Sequence, residues 1–116
     1  MDLVANHLDQ PVSLLQNDGE AKNWIQLELV GTDSERSAVG TSIVVFAEGQ
    51  RWTAWRTSGD GYMCTNEPVI HVGLGIAAKV EKMEIQWPSG SVQTIQDLQS
   101  NHRYLAIEGE PTLHLR

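Results

Sequence analysis

The amino-acid sequence predicts an all-β domain, a sandwich or barrel of seven or eight short strands. Three observations carry this reading. Apolar and polar residues alternate with a period of two in several segments, the pattern of strands that bury one face. Gly, Pro and Asn punctuate the chain at roughly ten-residue spacing, as in sandwiches and barrels. No segment of about ten residues or more keeps the 3.6-residue apolar period of a helix.

Residues 1–21 form a lead-in. Leu14 and Leu15 are apolar, and Asn17-Asp18-Gly19 is a turn signal; a short strand is predicted over residues 12–15. Ile25, Leu27 and Leu29 alternate with Gln26 and Glu28, which predicts a half-buried strand over residues 24–30. Residues 31–40, GTDSERSAVG, are a polar loop. Residues 43–46 are apolar throughout, as in a strand covered on both faces. Glu48-Gly49 makes a tight turn into a strand over residues 50–57, with Trp52 and Ala54 facing one way and Thr53 and Trp55 the other.

A second long loop, SGDGYMCTNEP, spans residues 58–68. A strand follows over residues 69–72 and ends at Gly73-Leu74-Gly75. The clearest unit is VEKMEIQWPSG, residues 80–90. There Met83, Ile85 and Trp87 alternate with Glu84 and Gln86, and Pro88-Ser89-Gly90 supplies turn chemistry. Val92 and Ile95 restart an apolar run, giving a hairpin with one buried face. One helical turn is allowed near residues 97–100, and strands are expected over residues 104–107 and 113–115. The predicted core includes Ile25, Leu27, Leu29, Ile43, Val45, Ile85, Trp87, Val92 and Ile107.

The 116 residues are enough for one domain with a single modest core. A net charge of −7 opposes non-specific binding to nucleic acid, which needs clustered Lys and Arg, and opposes docking on anionic lipid. A single cysteine, Cys64, forbids an internal disulfide and is expected to be buried or half-buried. The first residues, MDLVANHLDQ, lack the basic and apolar regions of a secretory signal, and no apolar run approaches the roughly 20 residues of a membrane-spanning helix.

The residues form no recognisable catalytic set. Gly73-Leu74-Gly75-Ile76-Ala77-Ala78 fits a dinucleotide fingerprint, but only residues 76–82 separate it from the next strand. That is too short for the helix whose N-terminus must face a pyrophosphate. Gly73 and Gly75 are therefore read as backbone-shape residues. His7, His71, His102 and His114 show no metal-ligand spacing, and His71 is expected to be a satisfied histidine within an apolar strand. Glu81, Glu84, Glu108 and Glu110 read as solvated positions. No cofactor is expected; if any ion binds, the oxygen-rich loops suit calcium, through Asp33 and Glu35 in one and Asp60 and Glu67 in the other. Trp52, Trp55 and Tyr62 are the candidate ligand contacts. Trp52 and Trp55 are three apart, so they point to opposite faces of a regular strand and do not share one platform.

Three segments together carry a resemblance: NWIQLELVGTDSERSAVGTSIVV at residues 23–45, GYMCTNEPVIHVGLG at 61–75, and VEKMEIQWPSGSVQTI at 80–95. In order and spacing they resemble the ASPIC/UnbV domain, over about residues 22–109. The lead-in resembles the end of an FG-GAP-type β-propeller repeat, which commonly precedes this module. The resemblance implies a two-layer, mainly antiparallel β-sandwich at residues 22–116, immunoglobulin- or transthyretin-like. It implies an accessory domain of a larger extracellular or periplasmic protein and carries no active-site residues onto this chain; without such a parent, a cytoplasmic location is expected. The function expected is non-catalytic contact with a protein surface, such as a propeller in the same parent, or homodimerisation through an edge strand. The alternative is a carbohydrate-binding module using exposed aromatic rings.

Overall fold

The structure, a computed structural model, describes residues 2–116. Within these residues, ten strands form three sheets: β1 (Leu3–Ala5), β2 (Ser13–Leu15), β3 (Asn23–Val30), β4 (Ser42–Ala47), β5 (Gln50–Trp55), β6 (Val69–Gly75), β7 (Lys79–Gln86), β8 (Val92–Gln99), β9 (His102–Ile107) and β10 (His114–Leu115). One four-stranded sheet runs β10-β9-β3-β6, the other β5-β4-β7-β8, and β1-β2 stands apart as a hairpin. The strands pair antiparallel except β3 with β9, where Ile25 lies beside His102 and Leu29 beside Ala106. The two-layer, mainly antiparallel sandwich predicted from the sequence is present.

Period-two alternation builds the core. Ile25, Leu27 and Leu29 point inward from β3, Ile43 and Val45 from β4, and Met83 and Ile85 from β7, and they form one cluster with Val72, Leu74, Tyr104 and Ala106. Trp87, 2 % exposed, closes one end of this core and donates its indole N–H to the Gln93 side-chain carbonyl at 2.7 Å. The β4–β5 turn has φ of 47° at Glu48 and 71° at Gly49. These two positive values mark the turn type whose twist suits a two-residue hairpin.

Strand parity corrects several expectations. Val92 is 62 % exposed, not core: Ile95 points inward from β8, and a residue three positions away falls on the opposite face. Ile107 is half-buried for the same reason, since Tyr104 and Ala106 hold the inward positions of β9. In β4 the burial alternates, so Val44 and Phe46 are only half-buried, and the Lys82 ammonium covers the Phe46 ring at 4.4 Å. No helical turn occurs at residues 97–100; β8 runs through to Gln99 with Asp97 at φ 57°. Near that residue the inward parity switches, so that Val80 and Met83, and Ile95 and Leu98, all reach the core. The lead-in contains a further strand, β1, which the apolar pattern of residues 12–15 does not announce.

Candidate functional site

Three features other than the apolar core stand out among the described residues. The first is a buried carboxylate. Glu108 follows β9, where its N–H continues the parallel ladder to the Val30 carbonyl at 2.9 Å. The residue is 4 % exposed. The loop after β3 wraps its side chain: the backbone N–H groups of Thr32, Asp33 and Ser34 donate to Oε2 at 2.9, 3.0 and 2.7 Å. The hydroxyls of Ser34, Ser89 and Ser91 donate to Oε1 at 2.8, 2.6 and 3.4 Å. Burial by itself would raise the Glu108 pKa, but hydrogen bonds from the Ser89 hydroxyl, the Ser34 and Thr32 N–H groups and the Ser34 hydroxyl outweigh it and bring it down to about 2.

The clamp has a backbone requirement. The loop folds back with the Gly31 N–H donating to the Arg36 carbonyl at 3.1 Å. A Cβ at Gly31 would lie 2.3 Å from the Glu35 carbonyl oxygen and 2.9 Å from that of Ser34. Glu108 thereby joins the β9 end of one sheet to the β7–β8 hairpin of the other. Its chemistry is structural: the donors around the carboxylate belong to the chain itself. The expectation that Glu108 is solvated is overturned, because the three consecutive N–H groups replace its water. Glu110 is less buried and meets His114 Nε2 at 2.7 Å.

The second feature is a groove of about 500 Å³ where the edge strands β5 and β6 approach each other. Trp55, 61 % exposed, forms one wall; Ile70 and His71 of β6 form another; Asp60, Asn66 and Glu67 of the connecting loop line the rim. The Asn66 backbone N–H and side-chain amide donate to Asp60 at 3.3 and 2.5 Å. Glu67 pairs with Arg103 Nη1 at 2.8 Å. Trp52 faces the core from the same strand and borders a separate, smaller groove with Gly73, Leu74, Gly75, Ile76 and Ala77. Tyr62 projects from the loop almost fully into solvent. Of the three candidate ligand contacts, only Trp55 thus lines the larger groove.

Of the four residues of the calcium expectation, three have carboxylates engaged by separate local partners, and Asp33 is held through its backbone. The Asp33 backbone is held by Glu108, Glu35 accepts from the Ser37 hydroxyl, Asp60 from Asn66, and Glu67 pairs with Arg103. Among the described residues no three His, Cys, Asp or Glu side chains converge as metal ligands. Cys64 is exposed rather than buried, because it sits in the loop beyond the sheets, bridged to Gly61. His71 is also exposed, since it occupies an outward position of β6 between Ile70 and Val72. Gly75 has φ 62° and turns the chain toward β7, whereas Gly73 has open space where a Cβ would stand. A strand, β7, begins at Lys79, so no helix follows these glycines to receive a pyrophosphate.

The third feature is the β1–β2 hairpin. Leu3 pairs with Leu15, Val4 with Leu14 and Ala5 with Ser13. Leu3, Val4, Leu8, Val12, Leu14 and Leu15 are all more than half exposed, Leu8 to 97 %. Two polar contacts hold it: Asp2 accepts from the Asn17 N–H at 2.9 Å, and His7 Nε2 lies 3.0 Å from the Ser13 hydroxyl.

Known proteins with similar sequences can be set beside this geometry. A family model described as ASPIC and UnbV matches residues 31–113. Cartilage acidic protein 1 of Mus musculus is 30 % identical over 97 residues, which cover 79 % of this chain and 15 % of that protein. The Xenopus tropicalis protein of the same name is 29 % identical over 99 residues, 81 % of this chain and 15 % of its own length. The Homo sapiens protein is 30 % identical over 97 residues, 79 % of this chain and 14 % of its own. This chain therefore matches only a small part of these relatives. The family match extends from the loop that clamps Glu108 to just before β10, and on that match the chain belongs to the ASPIC and UnbV family.

Proposed function

We propose that this domain is a non-catalytic interaction module whose β1–β2 hairpin docks on a β-sheet of another domain in the same polypeptide, in an extracellular or periplasmic parent. The hairpin is the observation that carries the reading. Its six large apolar side chains face solvent, and an isolated two-stranded hairpin is at best marginally stable in water. Both of its outer edges offer unpaired backbone groups to a further strand. A β-sheet partner satisfies both needs. The relatives' length supports a partner in the same chain, since the match accounts for only 15 % of the mouse protein. The resemblance of residues 1–21 to the end of a propeller repeat makes a β-propeller the partner of choice. The non-catalytic part rests on the Glu108 carboxylate being enclosed by the chain's own donors.

Light scattering on residues 1–116 and on residues 21–116 tests this. Freed from its partner sheet, the longer chain should self-associate through the hairpin as concentration rises, and the shorter one should remain monomeric with the same thermal midpoint. Identical mass and stability at all concentrations would make the hairpin an inert tail and overturn the reading.

A further inference from the structure

We propose that the groove beside Trp55 binds a neutral pyranose sugar. Asp2 and Leu3 of the hairpin reach one side of this groove, but the groups that face the ligand come from β5, β6 and the loop between them. A pyranose presents a flat C–H face and a rim of hydroxyls, and it calls for a bare aromatic ring next to fixed, planar polar groups. An indole face carries the negative side of the ring quadrupole, which attracts polarised C–H groups. Trp55 supplies that face, and it stands at the end of an edge strand where no neighbouring strand covers it.

The rim supplies the polar groups. Asp60 and Asn66 orient each other through two hydrogen bonds, and the Asn66 side-chain carbonyl keeps its acceptor capacity. Glu67 is fixed by Arg103, and the Arg56 guanidinium is turned onto the Thr57 carbonyl. These contacts are made without a ligand, and such preorganisation lowers the entropy lost on binding. A volume of about 500 Å³ lies within the usual span of small-molecule sites.

Charge selects against other ligands. Asp2, Asp60 and Glu67 outnumber Arg56 around the groove, and Glu67 is already paired with Arg103, so the lining gives anions little attraction. Asp60 and Glu67 already have partners and do not converge on a cation. An uncharged hydroxylated ring suits the exposed indole and the acceptors beside it.

The test is a titration of residues 1–116 followed by proton–nitrogen correlation spectra. The probes are methyl β-glucopyranoside, methyl β-galactopyranoside and diacetylchitobiose, each taken to high millimolar concentration. The Trp55 indole N–H should shift saturably with at least one, while that of buried Trp87 stays in place. Trp55→Ala should weaken that binding by about tenfold or more, as truncating a central contact does. Asn66→Ala should weaken it without unfolding the chain, and it decides the matter if Trp55→Ala does not fold. Retention on an immobilised glycoprotein, lost after enzymatic deglycosylation, would assign the sugar to a glycoconjugate. Saturation by the free glycosides without such retention would assign a free saccharide, and either result supports the site. No saturable shift with any probe and no such retention, or binding undiminished in both variants, overturns the proposal.

Discussion

The two ends of this chain invert the usual relation between polarity and burial. At the clamp a carboxylate residue, Glu108, is 4 % exposed; at the hairpin Leu8 is 97 % exposed. Burial follows from available partners rather than from residue type. Glu108 finds three backbone N–H groups and three hydroxyls, enough to replace its hydration. The large apolar residues of β1 and β2 pair across a two-stranded sheet, Leu3 with Leu15 and Val4 with Leu14, and stay more than half exposed. The clamp is therefore complete within the domain, and the hairpin is not.

Substitutions can break or sharpen that contrast. The largest loss is expected for Trp87→Ala, which empties a buried indole site beside the clamp; about 3–5 kcal/mol is the usual cost of such a change. Equilibrium denaturation measures it, and an unchanged midpoint would place Trp87 outside the core. Glu108→Gln comes next. It removes the charge that the donors face and sets an amide NH₂ among them, which should cost on the order of 3 kcal/mol at neutral pH.

The same carboxylate predicts a pH dependence. Its folded pKa of about 2 lies below the ordinary 4.5, so the folded state releases this proton more readily than the unfolded chain. The stabilisation is fully present above pH 4.5 and disappears as pH falls toward 2. Thermal midpoints across that window should drop more steeply for the native chain than for Glu108→Gln. Parallel slopes would show that Glu108 is not the group responsible.

Gly31→Ala should have a smaller effect, about 1–3 kcal/mol, the range for forcing extra volume into a packed site. Its Cβ meets the Glu35 and Ser34 carbonyls, so the loop has to shift away from Glu108. The downfield amide resonances expected of Thr32, Asp33 and Ser34 should move with it. The smallest effect is expected at the hairpin: Leu14→Ser with Leu15→Ser should leave the unfolding free energy of the sandwich within about 0.5 kcal/mol. A large loss there would mean that the hairpin packs on the sandwich and would erase the contrast.

Much of the sandwich is legible in the sequence because its strands write their burial in alternate residues. Ile25-Gln26-Leu27-Glu28-Leu29 and Met83-Glu84-Ile85-Gln86-Trp87 state both strand and inward face. Reading apolar content without parity fails at Val92 and Ile107, which share their strands with residues that hold the inward places. The clamp is hidden for a different reason. Glu108 is bound by N–H groups 74 to 76 residues away, and a backbone donor leaves no mark in the sequence. The only local signal is the hydroxyl content of Thr32, Ser34, Ser89 and Ser91 in two turns. The groove escapes a sequence reading because Trp55, Asp60 and His71 come from two edge strands and a loop, and nothing local links them. Trp52 and Trp55, by contrast, are correctly assigned to opposite faces by their spacing.

The parallel pairing of β3 with β9 also bears on how the molecule is made. Trp24 and Asn101, bonded to each other at the start of that pair, are 77 residues apart. During synthesis β3 emerges early and must wait for nearly the whole domain before its partner exists. Folds dominated by such distant pairings assemble slowly. Until β9 arrives, one edge of β3 has no partner strand, and that interval is when misassembly and chaperone capture compete with folding.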